Sequence, residues 1–390
     1  MTAPKSRPML AAFGVIAGVA ALGAVALTTG ALGKAEVQSS SFLRDGTAGF
    51  VVTHFRYALG KDSVVSGACP AGMSKNVLEI FAEAPGGARQ SGESDEAYAA
   101  RLKAGSETYS RTADGKSFCT NPELASTDFH YRTLAASAWK EGIDIDGKKG
   151  IDNQFYRAVG CNKSFQSNGQ SNAFETEMYT GSWGILIELG DVDDLFNDGD
   201  VAVGISANAD PMQLSPTRQA LPYATYAKSQ KDIHRAEAKG RIKGGVLSSD
   251  PVDVTLVNVV NGMRLKRVLR DARIVGTVSK DGVMKGVLAG YAPVVAQYDL
   301  QFGYRNGTDI KGQPANPRLR LGTAHGAAQV LGHTCQGAWQ ALHGLADGHP
   351  DPKTGRYTSI STQYIFEAAP AFIVDVDTSS VNEAGKANGK

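Results

Sequence analysis

The chain carries almost none of the short motifs that mark catalytic proteins. No Cys-x-x-Cys occurs, which excludes a thioredoxin-type redox pair and a zinc ribbon, and no Cys-x-x-Cys-His is present for covalent haem. His-Glu-x-x-His, Gly-x-Ser-x-Gly and the P-loop are missing, as is any Gly-x-Gly-x-x-Gly after a strand. Net charge is lacking too: 40 Lys and Arg against 39 Asp and Glu leave +1. That balance gives no global case for binding nucleic acid or anionic lipid. After residue 33, no stretch is apolar enough to span a bilayer.

The one long uncharged run is Met9 to Gly33, preceded by Lys5 and Arg7. A basic start before an apolar stretch is the pattern of a secretory signal or an N-terminal anchor, and the charge bias keeps that end in the cytoplasm. Length favours an anchor, since a spanning helix needs about 20 apolar residues. Composition favours a cleaved signal, because the run is diluted with Ala and Gly and ends in the small-x-small form Ala31-Leu32-Gly33. Either way, the chain after about residue 35 is expected in the periplasm or at the cell surface, free or held to the inner membrane by residues 9–33. Membrane contact is expected through that segment alone. All four cysteines, Cys69, Cys119, Cys161 and Cys335, follow it. An even number in an exported chain predicts two disulfides, with all three pairings open.

Residues 1–35 form the export segment. Two regions follow, 36–239 with Asp/Gly loops among strands and 240–376 as a β meander plus a helix, and 377–390 read as a disordered tail. Strands are predicted at Phe50 to Ala58, Gly184 to Leu189, Val201 to Ile205 and Val252 to Val260. Ala272 to Val278 and Val283 to Leu288 flank Asp281-Gly282, a strong hairpin signal. Tyr357 to Phe366 and Ala371 to Val376 read as two more. Short helices are predicted at Asp95 to Ala104 and Tyr131 to Glu141. From Ala324 to Leu345, apolar residues recur at helical spacing on a single face. The fold class expected is α+β and β-rich: an antiparallel, sandwich-like sheet with one C-terminal amphipathic helix packed on it. The basic stretches Lys228 to Lys243 and Arg264 to Arg273 read as solvated faces.

The most specific local feature is Asp144-Ile145-Asp146-Gly147-Lys148-Lys149-Gly150-Ile151-Asp152-Asn153. Alternating aspartates with glycines between them can turn oxygens around one point, and calcium takes six to eight such ligands. It is not an EF-hand: Lys148 stands at the fifth position and Phe155 at the twelfth. The looser Asp-x-Asp-Gly loop of calcium-stabilised extracellular modules is nearer, with Asp144, Asp146, Asp152 and Asn153 as candidate ligands. A second acidic loop runs from Asp191 to Asp200 and offers Asp191, Asp193, Asp198 and Asp200. His325, His333, His343 and His349 crowd one region, but spacings of eight and ten do not share a helix face for one ion.

Gly142-Ile143-Asp144-Ile145-Asp146-Gly147, Gly150-Ile151-Asp152-Asn153-Gln154 and Gly160-Cys161 resemble a pattern in a family of exported proteobacterial proteins with no known activity. Arg157, Ala272 to Thr277, Gly286 to Tyr291 and Tyr357 to Phe372 extend the resemblance over most of the exported part. It implies one evolutionary unit with the cysteines and the Asp loop as fixed parts, and it brings no catalytic residues.

One catalytic reading has named residues. Ser137-Ala138-Trp139-Lys140, Ser206-Ala207-Asn208 and Lys353-Thr354-Gly355 follow the order of the Ser-x-x-Lys, Ser-x-Asn and Lys-Thr-Gly motifs of penicillin-binding proteins. Ser137 would be the nucleophile and Lys140 its activator, with Ser206 and Lys353 in support. The context fits poorly, since Ser206 follows a predicted strand and Lys353 a Pro-Asp-Pro turn. The leading expectation is an exported, disulfide-stapled binding or accessory protein, calcium-stabilised, acting on an envelope ligand or protein. An envelope hydrolase or transferase and a structural envelope protein are the alternatives.

Overall fold

Strand by strand, the apolar alternation closes into a ring. The computed structural model describes residues 42–60, 63–125, 130–136, 143–148, 152–166, 169, 173–180, 183–208 and 210–375. The strands are β1 (Ala48–Tyr57), β2 (Ile185–Gly190), β3 (Asn197–Ala207), β4 (Ala224–Ala227), β5 (Arg235–Lys243), β6 (Val246–Ser249), β7 (Val252–Val260), β8 (Met263–Val278), β9 (Met284–Pro293), β10 (Gly348–Pro350) and β11 (Tyr357–Val374). Antiparallel pairings run β1–β2–β3–β5–β6–β8–β9–β11, and β11 pairs back with β1. The eight follow one another in chain order, the topology of an up-and-down barrel. Three strands lie off the ring: β4 adds to β11 in parallel, β10 pairs with its first residues, and β7 pairs with β8. The sheet is therefore mixed, and the sandwich expected from sequence is replaced by a closure.

Closure has local causes. Pro251 has no N–H to give a ladder, and the chain turns there from β6 to β7, so one long β8 serves both. Asp271, at φ 49°, sits in a bulge where the β8–β9 register shifts between Arg270 and Arg273. Bulges increase bend and twist. Gly276 and Gly286 face each other across β8–β9, and a Cβ on Gly286 would stand 2.5 Å from the Val275 carbonyl oxygen, so neither place admits a larger residue.

The inward residues fill the lumen. Phe50, Phe55, Ile187, Val203, Leu288 and Phe366 are all buried in one core, and each large apolar side chain contributes roughly 1.5–3 kcal/mol. Arg267 is the exception, a fully buried inward side chain on β8. Its guanidinium donates to the Tyr364 hydroxyl at 2.8 Å and to Asn258 Oδ1 at 2.9 Å. It also lies 4.9 Å from the Tyr364 ring centroid, and ring faces favour a cation.

Helices cap and flank the barrel. Between β1 and β2 come α1 (Ser63–Ser66), α2 (Val77–Glu83), α3 (Asp95–Tyr109), α4 (Gln154–Val159) and α5 (Ala173–Tyr179). Between β9 and β10 come α6 (Val294–Tyr298), a π-turn at Asp299–Gly303, α7 (Pro317–Leu331) and α8 (Cys335–Gly344). The single helix expected at 324–345 is two. Gly332 ends α7 in the left-handed region at φ 67°, and Thr334 caps α8 by accepting the Gly337 N–H. The run expected as a helix from Tyr131 has no regular structure at 131–135, and its end lies outside the described residues. The two strands expected at the C-terminus are one, β11.

Cys69 bonds Cys161 and Cys119 bonds Cys335. Two bridges fit an oxidising, exported location. Among the described residues no helix is long and apolar enough to cross a membrane. The export segment 1–35 and the tail 377–390 lie outside the described residues. The described residues form one compact unit, so the barrel draws strands from both regions read in the sequence.

Candidate functional site: a cleft at the barrel and the acidic loops

A cleft of about 570 Å³ lies between the tip of β7, the π-turn and α7. Its apolar walls include Val259, Leu300, Leu319, Ala327, Val330 and Leu331. The π-turn supplies Leu300 and Gln301, and Tyr304 follows at φ 50° with its hydroxyl donating to the Gln301 carbonyl at 3.2 Å. Such turns are rare and concentrate at functional sites. A polar chain links the cleft to the lumen. Gln301 Oε1 accepts from the Tyr57 hydroxyl at 3.3 Å, and Asn258, on the cleft wall, accepts from Arg267.

Glu177 is the charged acceptor of this cleft. Two neighbours hold α5 against β1: Glu175 Oε1 accepts the Phe55 N–H at 2.9 Å, and the Tyr179 hydroxyl donates to the Thr53 carbonyl at 2.6 Å. Glu177, two residues from each, projects from another side of the helix and lines the cleft. Its Oε2 is shut off from solvent with no hydrogen-bond partner among the described residues. Burial pushes its carboxyl above the usual range, against the pull of a bond from the Asn261 backbone. An unmatched buried acceptor costs about 1–3 kcal/mol.

Two glycines on α7 complete the wall. Gly322 and Gly326 line this cleft and a smaller one of about 300 Å³ beside Cys119–Cys335. An added Cβ would meet nothing within 4 Å at either. Packing does not require them, yet each weakens the helix by about 1 kcal/mol relative to Ala.

The first acidic loop is clamped onto the outside of the barrel. Ile145 is buried against Ala289 and Tyr291 on β9. From β11, Gln363 bonds the Ile143 backbone at both N–H and carbonyl and donates to the Asp152 carbonyl at 2.8 Å. The result gathers Asp144, Asp146 and Asp152, whose carboxylate oxygens lie within 4.8 Å of one another. Two oxygens bound about 2.4 Å from one calcium ion can be no farther apart than that. Burial, and then Asp144 and Asp146, push the Asp152 carboxyl up against the bond from the Ile145 N–H. Asn153 takes no part. It caps α4, and its Nδ2 donates to the Ala58 carbonyl at 2.8 Å.

The second acidic loop caps itself. Asp198 accepts backbone N–H bonds from Asp193, Asp194 and Asp200, which hold its carboxyl below the usual range. Asp200 pairs with Lys239 at 3.4 Å, and Asp191 sits at φ 56° in the turn. These carboxylates do not converge as a metal-binding group among the described residues.

Ser137 and Lys140 lie outside the described residues. Ser206 is buried in the barrel wall on β3, level with Ala369 of β11 through Leu186 and Val51. Lys353 stands in the exposed turn before Tyr357, where its N–H is held by Asp351. At about 3.3 Å per residue, the twelve positions from Tyr357 to Ala369 keep Ser206 and Lys353 on the order of 40 Å apart along the strand. The histidines are also separate. His325 shares a hydrogen bond with Ser117 at 2.8 Å, His343 with the Trp339 carbonyl at 2.9 Å, and His349 meets Asp271 at 3.0 Å. His333 is buried without a hydrogen-bond partner among the described residues.

The chain matches no family profile, no curated protein and no solved structure. The cleft therefore has to be read from its own residues. Glu177 carries no sequence signal of its own. Gly322 and Gly326 do, as glycines one turn apart in a helical segment, but the apolar periodicity places the helix start after Gly322.

Proposed function

We infer that the chain is an exported, disulfide-stapled binding protein that takes an apolar small molecule bearing a hydrogen-bond donor in the cleft between the π-turn and α7. The observation that carries this is the Glu177 oxygen, buried and unmatched on the wall of an apolar cleft. Rotation of the Glu177 side chain would turn this oxygen into the cleft, where a ligand N–H or O–H would satisfy it, while the ligand body would cover Val259, Leu300 and Val330. The smooth strip at Gly322 and Gly326 lets such a body approach the α7 backbone.

N-phenyl-1-naphthylamine, an apolar aromatic with one N–H that brightens on leaving water, tests the reading. Saturable brightening is expected with the full chain. Glu177→Ala should weaken it about tenfold, the worth of a hydrogen bond to a charged acceptor. Gly322→Leu with Gly326→Leu should abolish it and leave the thermal midpoint at or above that of the parent. Equal brightening in the double variant would defeat the proposal.

The Asp144, Asp146 and Asp152 group is proposed as a structural calcium site of the same protein. Calcium at 100 times its dissociation constant should add about 2.7 kcal/mol of stability. Asp146→Asn should remove that gain, and a melting curve unchanged between EDTA and excess calcium would reduce the loop to a solvated turn.

A further inference from the structure

We propose that the chain holds a second small-molecule site, for an amphiphile with an anionic head, in a basic cleft on the outer face of β7 and β8. This cleft of about 450 Å³ is lined by Lys231, Arg264 and Lys266, and none of the three makes an ion pair among the described residues. Arg264 and Lys266 alternate along β8, so both side chains leave the barrel on one face, while Leu265 and Arg267 between and beyond them turn inward. Lys231 comes from the turn before β5. The basic stretches of the sequence, which read as solvated faces, thus meet at one cleft.

The acidic groups there do not cancel this charge. Asp299 lines the cleft, but its two oxygens are taken by Arg305 Nε at 2.5 Å and Asn306 Nδ2 at 2.6 Å. Asp309, whose Oδ1 accepts the N–H groups of Lys311 and Gln313 at 2.8 and 2.9 Å, offsets only one of the three cations, so the wall stays net positive. His234 adds a built polar group, only 8 % exposed, with Nδ1 bonded to the Thr255 carbonyl at 2.9 Å. Its Nε2 has no hydrogen-bond partner among the described residues and is not one of the sealed polar atoms. That leaves it as the ring atom free to meet a ligand. Beside the charged wall stand Val257, Val268, Leu300 and Ile310, the last 76 % exposed at the rim. Uncompensated cations beside an exposed apolar wall suit a carboxylate or phosphate head carrying a hydrocarbon chain.

Calorimetric titration of the full chain with dodecanoate, dodecyltrimethylammonium and inorganic phosphate separates head from tail. Dodecanoate should bind saturably below its micelle concentration, phosphate about tenfold or more weakly, and the cationic amphiphile not at all. Arg264→Gln with Lys266→Gln should weaken dodecanoate at least tenfold with an unchanged circular dichroism spectrum. Gly322→Leu with Gly326→Leu should leave dodecanoate binding intact, which keeps this site distinct from the cleft at α7. Equal binding of both amphiphiles, equal binding of phosphate alone, or loss of dodecanoate in the glycine variant would each overturn the assignment. So would binding only to phosphatidylglycerol vesicles, since that outcome makes the cleft a membrane-facing patch.

Discussion

Replacing Cys119 and Cys335 together by Ala is expected to cost the folded chain about 2–5 kcal/mol. The bridge joins residues 216 apart in sequence, against 92 for Cys69–Cys161. On the chain-entropy account the cost of opening a closed loop grows with the logarithm of its length. The longer bridge is then worth about 0.8 kcal/mol more than the shorter. The loops interlock, because Cys119 lies between Cys69 and Cys161 while Cys335 lies beyond both. Each bridge therefore constrains part of what the other already holds, so removing both costs more than the sum of the two single removals. Local structure points the same way. Cys119 and Cys335 are buried, the Tyr298 hydroxyl of α6 donates to the Cys119 carbonyl at 3.0 Å, and Cys335 opens α8. Losing the bridge loosens α6, α8 and the segment after α3 together, and α7 packs beside that bridge, so binding at the α7 cleft should weaken along with stability. Urea unfolding of oxidised chain, reduced chain and each double Ala variant measures all of this. A loss below about 1 kcal/mol for the Cys119 and Cys335 pair would show that packing alone holds the helical cap.

Much of the barrel wall is legible in the sequence, and its closure is not. Val252 to Val260 and the Asp281-Gly282 hairpin stand out because large β-branched residues alternate and the turn needs Gly282 at φ 78°. β5 is silent for a physical reason. Three of its four inward residues, Ala236, Ala238 and Gly240, are small because Val201 and Val203 of β3 fill the space opposite, and only Ile242 is large. A strand whose buried face is mostly small and whose outer face is charged reads as a solvated run. The pairing of β1 with β11 joins segments more than 300 residues apart, and no local pattern encodes it. The helix break at Gly332 is hidden because the apolar face continues on both sides of it. At the candidate sites the contrast is similar. The aspartates of the first loop are visible as a pattern, but the clamp from Gln363 that makes them converge is not. Nor can the sequence tell it from the second loop, where Asp198 binds backbone instead.

Acid should weaken the fold through His333, and the effect is large enough to isolate. The imidazole is fully buried at the break between α7 and α8, edge-on to the Phe302 ring of the π-turn at 4.9 Å. Both ring nitrogens lack hydrogen-bond partners among the described residues. Burial alone pushes its pKa down to about 3, against about 6.5 in the unfolded chain. Between these values the unfolded chain binds a proton that the folded chain refuses. The stability is therefore whole above about pH 6.5 and is lost as pH falls toward 3. From pH 7 to pH 4.5 the loss is about 2.5 kcal/mol. Buried carboxyls act in the opposite sense. Burial raises Asp299, Asp347 and Glu177 despite bonds that favour the charged form, so the folded chain holds their protons longer and gains on acidification. The raw pH profile mixes these contributions, and the difference between parent and His333→Leu separates them. Leu fills a similar volume without orphaned polar atoms, so the variant should be at least as stable at pH 7. Its stability should fall less than the parent's by about 2.5 kcal/mol on going to pH 4.5. Parallel profiles would mean that His333 is hydrated or protonated within the fold. Because Phe302 belongs to the same π-turn that supplies Leu300 and Gln301 to the cleft, protonating His333 should also release a bound probe in the parent and spare the variant.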